Sequence, residues 1–368
     1  MKHNFIILLS IIAMTACTST TKPTISSKEW GLIDSEPVYL YTLTNSNGVT
    51  AKISNYGCYI VEFNTPDRNG QLENIVLGLE SLDDYLDGHP SFGCIVGRYA
   101  NRIAGAKFTL DDTEYILAAN SGKNHIHGGI QNFRHKVWDA TISSDEESAT
   151  LTLSYLSVDG EEGYPGNLTV KLDYVLNNDN ELQLNYTATT DKPTVLNLTN
   201  HSFFNLAACK EDVLGHHVRI YADSYTSTDR GIPTGEITPV EGTPYDLRQW
   251  AAIGNLLSDL PRGYDNNYCV KGTPGNVVLT AELYEPKSGR LLQTYTTEPG
   301  VQFYTAGNLD GSKKSPQGVA YTPFIGACFE AQHYPDSPNK PNFPSTVLRP
   351  GETYEQVTIY KVGVIKEK

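Results

Sequence analysis

His201 lies in the run Asn197-Leu198-Thr199-Asn200-His201-Ser202-Phe203-Phe204-Asn205-Leu206, one imidazole among amides and hydroxyls directly after a strand-like segment. Read from Val195 with a period of two, Asn197, Thr199 and His201 share one face, while Leu196 and Leu198 share the other. That pattern directs the imidazole away from the apolar core. With an ordinary pKa of about 6.5, a histidine can hold or release a proton near neutral pH, which suits general acid or base chemistry. A partner base is found in Glu330, within Phe324-Ile325-Gly326-Ala327-Cys328-Phe329-Glu330-Ala331-Gln332-His333. This run is mostly apolar, and burying an isolated carboxylate in such a run is costly. Taken singly, each residue also has a structural reading, as a hydrogen-bonded histidine or a paired buried acid.

Five further segments set polar or charged residues among glycines and aromatics. They are Gly97-Arg98-Tyr99-Ala100-Asn101-Arg102-Ile103, Asn124-His125-Ile126-His127-Gly128-Gly129, Gly263-Tyr264-Asp265-Asn266-Asn267-Tyr268, Val301-Gln302-Phe303-Tyr304, and the Pro-rich stretch from Gln332 to Ser345. Together with the His201 and Glu330 runs, and in the same order from about Tyr39 to Tyr360, they resemble the aldose 1-epimerase family, the galactose mutarotases. The resemblance implies that His201 is the general acid and Glu330 the general base. It matches Asn101 and Arg102 to a substrate-binding pair, and His127, Asp265 and Gln302 to positions that hold sugar hydroxyls or the ring oxygen. Ser202 and Phe203, beside the histidine, complete the expected sugar-binding set. Two positions depart from the family pattern: Asn266 stands where a histidine often follows the aspartate, and Phe203 where a tyrosine is usual.

The implied reaction interconverts the α and β anomers of a free aldose and needs no cofactor or metal. A base removes the C1 hydroxyl proton while an acid protonates the ring oxygen. The C1–O5 bond breaks, the aldehyde rotates about C1–C2, and reclosure on the other face gives the second anomer. The expected charge states are a carboxylate at Glu330 and an imidazolium at His201, kept charged by Asp265 or another carboxylate. Arg102 offers a forked donor set for hydroxyls, and aromatics such as Phe203 offer a surface for apolar sugar faces. Judged by local rules alone, Asp265 is a turn residue, Gln302 the polar member of a strand, and Tyr99, Tyr304 and Tyr334 packing residues.

Three other readings stay open on the sequence. His125-x-His127 with Glu330-x-x-His333 could ligate a metal, although no cysteine pair has zinc-ligand spacing and no carboxylate closely follows His127. Asp265 and Glu330 could flank a glycosidic bond. A non-catalytic sugar-binding module would keep Arg102 and the aromatics without needing both His201 and Glu330.

Short alternating runs dominate the rest of the chain and predict an all-β, large antiparallel β-sandwich, which the resemblance sharpens to a twisted super-sandwich. Leu151, Leu153 and Tyr155 alternate with polar residues, as do Leu168 to Leu176, Leu182 to Tyr186, Val277 to Leu283 and Tyr354 to Val362. A short helix is expected near Leu247 to Leu257. The stretch from Pro335 to Pro344 reads as an ordered loop beside Glu330 rather than a domain boundary.

At the N-terminus, Lys2 and His3 precede the apolar run Phe5 to Ala13, too short to span a bilayer but suited to a signal-peptide core. Met14-Thr15-Ala16-Cys17 resembles a bacterial lipobox, so the expectation is a signal peptide over 1–16, lipidation at Cys17, a tether over 17–28 and a single domain over 29–368. The product would be an exported, membrane-anchored lipoprotein, periplasmic or at the cell surface. Cys58, Cys94, Cys209, Cys269 and Cys328 are an odd set, expected to be mostly buried free thiols. The net charge of −14 offers no basic surface for nucleic acid and suits neutral ligands such as hexoses.

Overall fold

In a nine-stranded antiparallel sheet the predicted alternation becomes a packed face. Its order is Asp139–Ser144, Ser148–Ser157, Leu168–Asn177, Glu181–Thr190, Tyr354–Val364, Arg290–Thr296, Val278–Tyr284, His217–Ile220 and Ala251–Ala252. Directly opposed residues share a face, and the register aligns Leu151, Tyr174, Leu184 and Thr358 in one row across four strands. All four are buried, as a side-chain period of two requires when one face meets the core. The computed structural model describes residues 22–272 and 275–366.

A five-stranded sheet, Thr24–Ile33, Glu36–Thr44, Thr50–Ser54, Ile60–Pro66 and Leu72–Asn74, contributes Leu43, Ala51, Ile53 and Phe63 to the same core. Between the layers, the Tyr174 hydroxyl donates to the Cys58 carbonyl at 2.7 Å, so the buried phenol is not left unpaired. The all-β antiparallel sandwich expected from the sequence is the observed architecture.

A second five-stranded sheet carries the chemistry, in the order Ile232–Pro239, Ala222–Asp229, Asp265–Val270, Gly300–Tyr304 and Cys328–Gln332. Its register places Asp265, Tyr304 and Cys328 in one row and Asn267, Gln302 and Glu330 in the next. The alternate residues Tyr268, Val301, Phe303 and Phe329 go to the hydrophobic core. One face of this sheet is thus apolar and locked, and the other holds the polar set.

Several boundaries differ from the sequence reading. Thr24 to Lys28, expected within the tether, belong to the strand Thr24–Ile33, which pairs with Glu36–Thr44 and so draws those residues into the folded body. Cys17 and the signal segment lie outside the described residues. The run from Val277 begins as a strand only at Val278, and a bulge at Thr280 breaks its alternation; the Thr280 hydroxyl instead donates to the Thr294 carbonyl at 2.9 Å. The helix near Leu247 to Leu257 is reduced to a 3-10 turn over Ile253–Leu256. The Pro-rich stretch is an ordered loop, held where Asp336 N–H donates to the Arg102 carbonyl and Asp336 Oδ1 accepts from Ala104 N–H, both at 2.9 Å. All five remaining cysteines are buried free thiols.

Candidate active site

Glu330 reaches the site from the strand Cys328–Gln332, whose backbone is paired residue by residue with Gly300–Tyr304. His201 follows the short strand Thr199–Asn200 and is pinned on both sides, its N–H donating to Cys94 O and its carbonyl accepting from Gly93 N–H, each at 2.9 Å. The strand-like segment read from Val195 is broken into the two-residue strands Thr194–Val195 and Thr199–Asn200, but Leu196 and Leu198 are core residues as the period of two required. His201 Nε2 stands 3.7 Å from Glu330 Oε1, and both side chains are nearly fully buried. The pair read from separate stretches of sequence therefore meets.

A short antiparallel pairing of Arg102–Ile103 with His125–Ile126 brings in the next group. Asn101 and His127 both adopt left-handed backbone, with φ of 58° and 52°. That geometry lets His127 N–H donate to Asn101 O at 2.9 Å and lets His127 Nδ1 accept from Asn101 N–H at 3.3 Å. An Nδ1 that accepts leaves the proton of the neutral ring on Nε2, a donor. Burial first, then repulsion from His201 when that ring is protonated and from the Arg102 guanidinium, hold the His127 pKa well below its usual range.

These residues line a cavity of about 200 Å³, together with Asp265. At about 30 Å³ per water, that is the volume of roughly six or seven waters, the scale of one pyranose with its hydroxyls. Of the nine residues expected in the site, His201, Glu330, Asn101, Arg102, His127 and Asp265 stand together around this space. Phe203 borders it with no exposed surface, stacked on His201 at 5.0 Å between ring centroids, so it supports the imidazole rather than presenting a face to a sugar. Gln302 and Ser202 are not in its wall. Gln302 Nε2 donates to Asp265 Oδ1 at 2.7 Å, and Ser202 N–H donates to Asn200 Oδ1 at 3.1 Å. Gln302 therefore orients Asp265. Tyr304, Asn308 and Ser91 also line the cavity and were missed. For Tyr304 the signal was present, since it shares a strand face with Gln302.

Charge states differ from the expectation of an imidazolium and a carboxylate. Burial pushes the His201 pKa down to about 4, and the positive charge of Arg134 acts in the same direction. Burial also raises Glu330 well above the usual carboxylate range; the Asp265 charge adds to this and Arg102 opposes it. Glu330, whose carboxyl is 3.7 Å from His201 Nε2, is itself driven toward its neutral form and so does not hold the imidazole charged. Both groups are driven toward their neutral forms.

The metal set weighed from the sequence does not assemble. His125 is satisfied by the Ala118 carbonyl at 2.8 Å and the Tyr164 hydroxyl at 2.7 Å, while His333 pairs with Glu298 at 2.6 Å. Among the described residues, the metal-type grouping that does form is His201, Cys328 and Glu330.

Comparison with known proteins shows the family and the fold. A family model described as aldose 1-epimerase matches residues 39–361. The chain is 43% identical over 315 residues to galactose mutarotase of Homo sapiens, covering 85% of this chain and 90% of that one. It is 34% identical over 336 residues to aldose 1-epimerase of Escherichia coli (strain K12), covering 89% and 96%. Among solved structures, galactose 1-epimerase from Lactobacillus acidophilus superposes with a TM-score of 0.83 at 28% identity, covering 94% of this chain and all of that one.

Proposed function

Because the chain belongs to the aldose 1-epimerase family and interconverts the α and β anomers of aldoses, we propose that His201 is its general acid and Glu330 its general base. The observation that carries the assignment is their 3.7 Å approach beside a sugar-sized cavity. The pair shares one transferable proton. With that proton on His201, the Glu330 carboxylate takes the C1 hydroxyl proton while His201 Nε2–H protonates O5. C1–O5 cleavage then leaves an open-chain aldehyde, neutral His201 and protonated Glu330. After rotation about C1–C2 the transfers reverse and the ring closes on the other face.

Arg102, Asn101, Asp265 and His127 Nε2–H hold the sugar hydroxyls, and Tyr304 forms a wall of the same space. Galactose is the first sugar to test, since the relatives that are 42–43% identical are galactose mutarotases. The non-catalytic sugar-binding and glycosidase readings are not favoured by these relatives. Polarimetry of freshly dissolved α-galactose should show acceleration by the wild type. His201→Asn and Glu330→Gln should each lose roughly 10²- to 10⁴-fold, the usual contribution of one positioned proton-transfer group. Full activity in either variant would remove that residue from the mechanism.

Cys17 lipidation and export are proposed on the charged start, the apolar run Phe5 to Ala13 and the sequence Met14-Thr15-Ala16-Cys17. The mature enzyme then works on sugars outside the cytoplasm. Fractionation of wild type and Cys17→Ser tests this: membrane association should be lost in the variant, and a soluble cytosolic wild type would refute it.

A further inference from the structure

We propose that His201, Cys328 and Glu330 form a binding site for a thiophilic divalent cation, Zn²⁺ or Cd²⁺, and that occupation of this site arrests the enzyme. One ring nitrogen, the Cys328 sulfur and a Glu330 oxygen lie within 4.8 Å of one another. With Zn–S near 2.3 Å and Zn–N near 2.0–2.1 Å, tetrahedral zinc separates its sulfur and nitrogen ligands by about 3.6 Å. Cys328 Sγ and His201 Nδ1 are 3.7 Å apart. Two of three ligands thus already stand at ligation spacing.

The third is set by the strand. Cys328 and Glu330 are two residues apart and share one face of Cys328–Gln332, and the pairing with Gly300–Tyr304 fixes their separation. Glu330 Oε2 is buried without a hydrogen-bond partner, so turning that oxygen onto a cation sacrifices no existing contact. His201 and Glu330 border the cavity, which gives an ion its approach, while Cys328 stands behind them, fully buried and outside the cavity wall. The donor set is one soft thiolate, one imidazole and one carboxylate, which favours zinc-like ions over Mg²⁺ or Ca²⁺.

Binding is a ligand exchange with no redox step. The aquo ion loses water, the Cys328 S–H and Glu330 O–H bonds break, both protons leave to solvent, and the thiolate and carboxylate lone pairs form the S–metal and O–metal bonds. Once a Glu330 oxygen binds the cation it can no longer take the proton from O1, and turnover stops at the base even though a cation on His201 Nδ1 leaves Nε2–H in place. Sugar and metal therefore compete. The effect on rate rests on the acid and base assignment above; the binding itself does not.

The test uses metal-free full-length protein, with CdCl₂ and ZnCl₂ as probes. Galactose mutarotation followed by polarimetry should fall with added metal, recover on addition of EDTA, and need more metal at higher galactose. Cys328→Ala and Cys328→Ser should require at least roughly 10-fold more metal for half-inhibition, the loss commanded even by a supporting residue of a metal site. Independently of turnover, one equivalent of Cd²⁺ should give thiolate-to-cadmium ultraviolet absorption in wild type and none in Cys328→Ala. The band remains interpretable even if that variant is slow. Equal inhibition of wild type and both Cys328 variants would overturn the proposal, as would a cadmium band that persists without Cys328. A wild type active on galactose but untouched by millimolar metal would do the same while leaving the epimerase assignment standing.

Discussion

Gln302→Leu separates a residue that touches sugar from one that holds another residue in place. Gln302 is 3% exposed, stands outside the cavity wall and donates to Asp265 Oδ1 at 2.7 Å. Its own Oε1 is buried without a partner, so in Gln302→Leu the removal of an unsatisfied atom offsets part of the stability lost with the bond to Asp265. What is lost is one hydrogen bond to a charged group, about 1.5–3 kcal/mol. At about 1.4 kcal/mol per tenfold, kcat/KM for galactose should fall roughly 10- to 140-fold. Thermal unfolding, polarimetry on Gln302→Leu and Asp265→Ala, and the double variant form a complete cycle. If Gln302 acts only through Asp265, the double variant is no slower than Asp265→Ala alone. Independent, additive losses would refute this and return Gln302 to direct sugar contact.

The remaining predictions concern the fold around the site. Gly128 has φ of +81°, and a Cβ there would lie 1.9 Å from Gly97 O. Gly128→Ala should therefore displace the His127 turn, destabilising the fold by more than the about 1–2 kcal/mol that left-handed backbone alone costs, read as a lower thermal midpoint, and raising KM; an unchanged midpoint and KM would refute the close approach. Acid should destabilise the protein between pH 6.5 and 4. In that window the unfolded chain protonates imidazoles that burial holds at about 3 for His89 and about 4 for His135, His201 and His216. Glu330 has the opposite sign, since its raised pKa stabilises the fold below that pKa and the benefit is lost as pH rises through it. Four imidazoles outweigh one carboxyl, so the urea midpoint should be lower at pH 4.5 than at pH 7, and a midpoint flat across the range would contradict the buried neutral imidazoles.

How far the sequence reached depended on whether a property was local. The alternation of Leu168 to Leu176 and Leu182 to Tyr186 is a local pattern, and these residues form adjacent paired strands with the expected faces buried. Asn101, Arg102 and His127 were legible by resemblance, and a two-residue pairing with left-handed turns brings them together. Depth was not legible. Ser202 and Gln302 belong to the right segments, but only the three-dimensional packing decides which polar residue reaches the cavity and which supports one that does. Cys328 was readable as a face-mate of Glu330 by its spacing of two, yet its approach to His201 joins chain positions 127 residues apart. Charge was the least legible property, because desolvation sums over neighbours from the whole fold.

Desolvation of His201 and Glu330 has a direct consequence for the proposed reaction. The ion pair that begins ring opening and the neutral pair that ends it hold the same number of protons, differently placed: the His201 proton passes to O5 and Glu330 receives the one from O1. Burial penalises the charged forms, lowering the His201 pKa and raising that of Glu330. Each shift makes proton donation by His201 and acceptance by Glu330 more favourable, so both push toward the open-chain aldehyde. From the ion-pair tautomer the opening transfers are therefore downhill, and reclosure draws on the same pair in reverse. A site exposed to water would hold the two groups nearer their ordinary pKa values of about 6.5 and 4.3. The proton would then remain on the imidazole, and the transfer that opens the ring would be uphill. The dry packing against Phe203 and Cys328 is on this account part of the catalytic apparatus, although neither side chain exchanges a proton with the sugar.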